Sequence, residues 1–394
     1  MARTVKDLLV EIKDTTELMV DLAYSAILYD NEDIAEEVLD LEERVSELVR
    51  QIRIVSILAA RRVEEAELVS TILLIADAAQ KISSAAGDIA ALVMKDFKLP
   101  RDMIRAILTK SEETIVRLRV PATSEIADRT LGDSKLHTKT GMKVIAIKRG
   151  FDWIFNPDRD TKILKGDILF ARGDITAVPT FFEHVTGEKI TVEGEEELSI
   201  EDLDRAVDIL IDMKNLSELS VDLSYSSLLY YNEEIAQEVH YLESRIDDMK
   251  FDLQQFVLKS SRHFMGYENL KPLIALLDLA NSSELIADAA KEIAEIVVKK
   301  MEVHPIFKKA MAESDEIITV VEVSEMCNLD GKTLGEAKVE TNTGMHIVAI
   351  KRGNRWITKP GARTVIKNGD LLIAKGTREG EELLKEMCSI SLPA

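Results

Sequence analysis

Two kinds of residue in this chain have the type and spacing to do chemistry. The first is an arginine near the end of a decapeptide that occurs twice, GMKVIAIKRG at 141–150 and GMHIVAIKRG at 344–353. Strand alternation places Ile145, Ile147 and Arg149 on one face and Ala146 and Lys148 on the other. A guanidinium where a strand turns at glycine offers a planar fork for phosphate or carboxylate. The same letters also describe a solvated turn whose arginine pairs with a nearby acid, and both readings stand for Arg149 and Arg352. The second kind is a pair of carboxylates one helical turn apart: Glu17 with Asp21, Glu218 with Asp222, and Glu284 with Asp288. Like charges at that spacing cost about 0.2–0.5 kcal/mol each in a bare helix. Their recurrence predicts compensation, by basic neighbours or by a cation, and carboxylates suit Mg²⁺, Mn²⁺ or iron. In the first half the matching place in the third helix is Leu73 with Asp77, so one ligand is missing there.

Other chemistries find no footing. The six histidines show no H-x-x-x-H or E-x-x-H spacing, which removes a zinc signature. No serine and histidine are grouped as nucleophile and base, and neither G-x-G-x-x-G nor a P-loop sequence occurs. An enzyme is not expected.

The elements that must position these residues come in two copies. ELMVDLAYSAILYDNEDIAEEVLDLEERV from Glu17 and ELSVDLSYSSLLYYNEEIAQEVHYLESRI from Glu218 share 18 of 29 positions without a gap, at an offset of 201. The decapeptides are offset by 203, so order and spacing are both kept. From Val5 to about Arg117, apolar residues recur at three- and four-residue spacing, with Leu8, Leu9, Ile12, Met19, Leu22 and Ile27 on one face. Breaks near Asp30–Asn31, Ala60–Arg62 and Leu99–Pro100 predict four helices in an antiparallel bundle, with Asn31 as a cap. The second copy breaks at Tyr231–Asn232, around Met265–Leu270, and at His304–Pro305. Tyr24, Ser25 and Tyr29, repeated as Tyr225, Ser226 and Tyr230, are expected to pack one bundle on the other.

After Val120–Pro121 the pattern changes to short strands: KVIAIKRG, DWIFN and DILFARG, then HIVAIKRG, RWITK and DLLIAKG in the second copy. LGDSK and AVPTFFEHV read as short flanking helices. The expected fold is α+β, with two antiparallel helical bundles alternating with two small α/β modules by internal duplication. The boundaries are a bundle at 1–118, a module at 119–187, an acidic linker at 188–202, a bundle at 203–314 and a module at 315–394. A lone core of about 70 residues is marginal, so the modules are expected to pair within the chain, sheet against sheet, as a pseudo-dimer.

Totals narrow the partners. The formal charge of −21 argues against nucleic acid and against direct adhesion to anionic lipid. No uninterrupted apolar run approaches the roughly 18–20 residues of a membrane span, and acids interrupt the opening residues where a signal peptide would be apolar. Cys327 and Cys388, the only cysteines, predict core packing in a reducing cytoplasm rather than a disulfide scaffold.

The module resembles the TrkA C-terminal domain, RCK_C, of potassium channel and transporter regulators. The likeness rests on TLG at 130–132 and 333–335, TG at 140–141 and 343–344, AIKRG, proline at 157 and 360, and GD at 166–167 and 369–370. The bundle resembles the PhoU domain of phosphate-responsive regulators, by its E-x-x-x-D and IAD segments. The combination is an archaeal-type arrangement, here doubled. The RCK_C likeness implies a small ligand across the paired modules, cyclic di-AMP in some relatives. It maps that ligand onto Val144, Ile145, Arg149, Asn156 and Pro157, and onto Ile347, Val348 and Arg352. Lys359 replaces Asn156 in the second copy, so a doubled site would be asymmetric. The PhoU likeness implies metal at Glu218, Asp222, Glu284 and Asp288, and at Glu17, Asp21 and Asp77. Together they imply a cytoplasmic regulator of potassium or other cation transport acting on a membrane channel or transporter, with whole chains able to dimerise. The alternative is a PhoU-type metal-binding regulator of phosphate uptake.

Overall fold

The computed structural model describes residues 4–59, 62–100, 103, 104, 107, 113–150, 152–189, 201–264, 266–314, 316–325, 327–358 and 360–388. They form two compact units, one from residues 1–110 with 199–318, the other from 111–198 with 319–394. Like parts of the two repeats therefore lie together.

The first unit is helical. Helices α1 (Val5–Tyr29), α2 (Glu32–Ala59) and α3 (Val63–Met94) pack on one another. Thr4 opens α1 in a capping box with Asp7. Asp30 closes it in the left-handed region, and Asn31 Oδ1 accepts from Ile34 N at 3.1 Å to start α2, as its place in the sequence predicts. In the second half the long helices are Glu201–Tyr230, Glu233–Ser260 and Tyr267–Val298. Helical turns at Leu131–Ser134 (α4) and Leu136–Thr140 (α5) and a helix at Val178–Thr186 (α6) precede them, so these three long helices are α7, α8 and α9. Asn232 caps α8 through Glu234 N and Ile235 N. The two bundles meet along α3 and α9, and both helices bury several alanines, among them Ala76, Ala79, Ala86 and Ala90 and Ala287, Ala290 and Ala294. Short α10 (Pro305–Met311) packs on α1. The first copy's fourth helix falls largely outside the described residues. By length and composition Glu65–Met94 of α3 could cross a membrane, and half of that stretch is buried.

The second unit holds two antiparallel sheets. The first consists of β1 (Glu113–Arg119), β2 (Lys143–Arg149), β3 (Asp152–Phe155) and β4 (Ile168–Asp174), ordered β1-β4-β2-β3. The second repeats this with β5 (Ile317–Glu322), β6 (Met345–Arg352), β7 (Arg355–Ile357) and β8 (Leu371–Gly376), ordered β5-β8-β6-β7. Helical turns α11 (Leu334–Ala337) and α12 (Val339–Thr343) precede β6, and α13 (Arg378–Cys388) follows β8.

Two expectations change. Residues 113–119, read as the end of the helical stretch, are a strand, because ETIVRLR alternates and pairs with β4 from Glu113↔Asp174 to Arg119↔Ile168. The boundary at 118 thus cut through β1. The simple alternation within VIAIKR also fails. A register shift between Val144 and Ala146 puts Val144 and Ile147, three residues apart, in one core cluster. The shift recurs between Ile347 and Ala349, so Ile347 and Ile350 share the second core. Most of the acidic linker lies outside the described residues, and its last two positions, Glu201 and Asp202, open α7.

Candidate functional site

The arginines of the repeated decapeptide are clamps within their own modules. Arg149 donates from Nε to Asp167 Oδ1 at 2.9 Å, and from Nη2 to Asp167 Oδ2 at 2.8 Å and to Lys162 O at 2.7 Å. Asp167 is 1% exposed and also accepts from Leu164 N at 2.7 Å. Arg352 repeats the arrangement on Asp370 at 2.7 Å through both nitrogens, and on Val365 O at 2.6 Å. Asp370 accepts from Lys367 N at 2.8 Å. Each fork ties the end of a central strand to the loop before the last strand. The aspartate is the D of the GD pairs at 166–167 and 369–370. Its recurrence at the 203-residue offset was the signal that could have named it as the partner.

Between the modules lies a seam. It includes α5 and α12, which are in contact. Gly141, at φ +76°, lies against the Glu340 side chain, whose Oε1 would be 2.9 Å from a Cβ there. In the other direction the contact is looser, with Thr138 Cα 4.0 Å from a Cβ on Gly344. A cavity of about 400 Å³ opens at this seam. Asp174, Thr176 and Thr180 of the first module form one wall; Lys338, Glu340, His346, Ile347 and Pro360 of the second are on the other. Asp174 is fixed by accepting from Thr176 N at 2.6 Å. His346 Nδ1 is 3.5 Å from Glu340 Oε2. Of the eight expected ligand residues, Ile347 borders this cavity. Val144, Ile145, Arg149, Asn156, Pro157, Val348 and Arg352 are not among its walls. Ile145 is buried, and its carbonyl accepts from Asn156 N at 3.0 Å. Lys359 lies outside the described residues.

In the helical unit the carboxylate pairs are met by lysines. Lys13, 3% exposed, donates to Glu17 Oε2 at 2.9 Å, to Ser314 Oγ at 2.9 Å and to Glu316 O at 3.1 Å. Lys214 is 2.7 Å from Glu218 Oε1 and lies 5.0 Å above the Tyr24 ring. A lysine four residues before the glutamate, present in both copies, was legible and was missed. The tyrosines behave as expected between bundles: Tyr24 Oη is 3.1 Å from Ser283 Oγ of α9. Burial first, then the charge of Glu218, raises the Tyr24 hydroxyl, and burial with Glu17 and Asp14 raises that of Tyr225.

Glu284 and Asp288 look elsewhere, toward α8. Glu284 is 2.9 Å from Lys250, and Glu243 is 2.8 Å from Lys291. Asp288 is pushed up to about 6 by burial, by Glu284 and by Glu243. The pairing of Asp288 with Asp77 by their shared IAD segment also fails. Asp77 meets Arg53 at 2.6 Å, whereas the acid beside Glu42, the counterpart of Glu243, is Asp88. Identical triplets thus sit at different heights of their helices. Among the described residues no three His, Cys, Asp or Glu side chains stand together as a metal site.

Family comparison agrees with this architecture. The PhoU domain matches residues 9–93 and 210–297, and the TrkA-C domain matches 115–186 and 318–389. The chain carries two PhoU domains alternating with two TrkA-C domains. One curated relative, Potassium channel protein 1 of Methanocaldococcus jannaschii, is 44% identical over 57 residues, 14% of this chain and 17% of that protein. The chain therefore matches well under two thirds of that relative's length. Among solved structures, PhoU from Pseudomonas aeruginosa is 12% identical, covering 75% of this chain and 93% of its own, with a TM-score of 0.41. The GsuK RCK domain is 15% identical over 82% of this chain and 78% of its own, with a TM-score of 0.19. Superpositions that loose add nothing to the domain matches.

Proposed function

We propose that this chain is a cytoplasmic regulator of potassium or other cation transport, binding a small ligand between its paired TrkA-C modules and acting on a membrane channel or transporter. The cavity at the seam carries the reading. Its walls come from both modules, so an occupant would bridge them and favour their closed pairing. Threonine hydroxyls, Lys338 and His346 supply polar contacts, and Ile347 and Pro360 supply apolar ones, the mixture usual in small-molecule sites. PhoU and TrkA-C are regulatory domains. The short match to a potassium channel protein supports the cation-transport reading.

Cyclic di-AMP is the first ligand to try, by calorimetric titration of the intact protein and of a Thr180→Trp variant that fills the cavity. Saturable heat in the wild type, lost in the variant, is expected. Absence of heat in the wild type counts against this ligand, and equal heat in both counts against this cavity. A second reading, a metal-binding regulator of phosphate uptake, has the facing acids of α8 and α9 in its favour. It requires Lys250 and Lys291 to leave Glu284 and Glu243.

A further inference from the structure

The chain spends its only two cysteines on one module, at positions that the other module shows to be in contact. Cys327 and Cys388 stand 203 residues after Ser124 and Val185, the offset that relates the modules. In the first module Ser124 Oγ donates to Val185 O at 2.5 Å. The second module keeps the same local backbone: Cys327 N donates to Ser324 O at 3.3 Å, as Ser124 N does to Pro121 O at 3.1 Å. Ser324 N closes the arrangement by donating to Cys388 O at 3.1 Å. Both thiols are free, buried and part of one apolar cluster with Val323, Leu329 and Leu384. We propose that Cys327 and Cys388 are a redox pair that closes to an intramolecular disulfide, fastening the last turn of α13 to the segment after β5.

The oxidant is a small-molecule disulfide of the glutathione class. One cysteine thiolate attacks it, forming a mixed disulfide and releasing one thiol. The second thiolate then displaces the other thiol, so two cysteines lose two electrons and two protons while one external disulfide becomes two thiols. Cys327, at 6% exposed against 1% for Cys388, is the better placed to attack first. Burial and the neighbouring Cys327 push the Cys388 thiol up to about 12, so little of it is thiolate at neutral pH. Closure is therefore slow and waits on opening of the end of α13. That suits a sensor of sustained oxidation in a compartment where structural disulfides are rare.

The test equilibrates the full-length protein with graded ratios of oxidised to reduced glutathione, quenches with acid, alkylates, and maps peptides by mass. A peptide linking Cys327 to Cys388 within one chain is expected, with loss of both alkylatable thiols. The thermal midpoint should rise by roughly 5 °C or more, since about 60 residues are enclosed. The double variant Cys327→Ser, Cys388→Val carries the first module's residues, should fold, and should show no redox-dependent midpoint. Glutathione trapped on single cysteines without linkage, cross-linked chains, or two free thiols under full oxidation would each overturn the proposal.

Discussion

Replacing Arg149 by alanine should damage the module more than any ligand it binds. The substitution removes two charge-assisted hydrogen bonds and the countercharge from Asp167, and leaves that carboxylate with Leu164 N. Taking one partner from a buried pair costs about 3–5 kcal/mol, because the remaining charge stays in a low dielectric. Arg149 is 34% exposed on its side chain, so water can partly replace it, and about 2–3 kcal/mol is the fitting figure. For a unit of this size that is a fall of roughly 5–10 °C in thermal midpoint. Calorimetric melting at neutral pH measures it, beside Arg149→Ala combined with Asp167→Ala in a double-mutant cycle. The double variant should recover much of the loss, since no orphan charge is left. A single variant within about 0.5 kcal/mol of wild type, or losses that simply add, would refute the clamp. The same reasoning holds for Arg352 and Asp370, and it means that lost ligand affinity in an arginine variant reports unfolding unless stability is measured alongside.

Three further outcomes follow from the geometry. Asp288 titrates near 6 in the folded protein against an ordinary 3.8, so between pH about 4 and 6 the native state holds more protons than the unfolded one. Stability therefore falls as pH rises through that window; Asp288→Asn should flatten the slope in urea unfolding and gain roughly 1 kcal/mol at pH 7, and an unchanged slope would exclude the effect. Gly141→Ala and Gly344→Ala should each cost about 1 kcal/mol, because both sit at positive φ and the Glu340 side chain beside Gly141 can swing aside; a clearly larger loss at Gly141 in chemical denaturation would refute that freedom. Lys13→Met should lose about 2–4 kcal/mol by removing the buried ammonium's hydrogen bonds to Glu17, Ser314 and the Glu316 carbonyl. Adding Glu17→Leu should restore part of it, and a urea midpoint unmoved by Lys13→Met would show the lysine to be dispensable.

Much of the fold was readable because its signals were local. Helix breaks at Asp30, Tyr231 and Pro305 follow from caps, left-handed residues and proline, and the duplication follows from direct comparison of letters. What escaped depended on contacts distant in sequence. ETIVRLR alternates over only seven residues directly after a helical pattern, and its pairing with β4 settles it as a strand. The bulge at Ile145 shows no glycine or proline to announce it. Arg149 could be read as a fork for phosphate because the acid it holds lies 18 residues on. The carboxylate pairs looked exposed to mutual repulsion only when Lys13 and Lys214 were left out of the window. The seam cavity was foreseen as a place, yet its walls include Asp174 and Thr180, which the second copy replaces with Thr377 and Leu383.

Gly141 and Gly344 occupy matching places on the seam, but Glu340 leans on one of them only. In an assembly of identical subunits any change to a flank appears twice, and both faces must tolerate it together. Here the two flanks are encoded separately, so selection can reshape one rim of the cavity while its counterpart keeps the original form. Fusion thus frees a duplicated pair to become lopsided around its cavity.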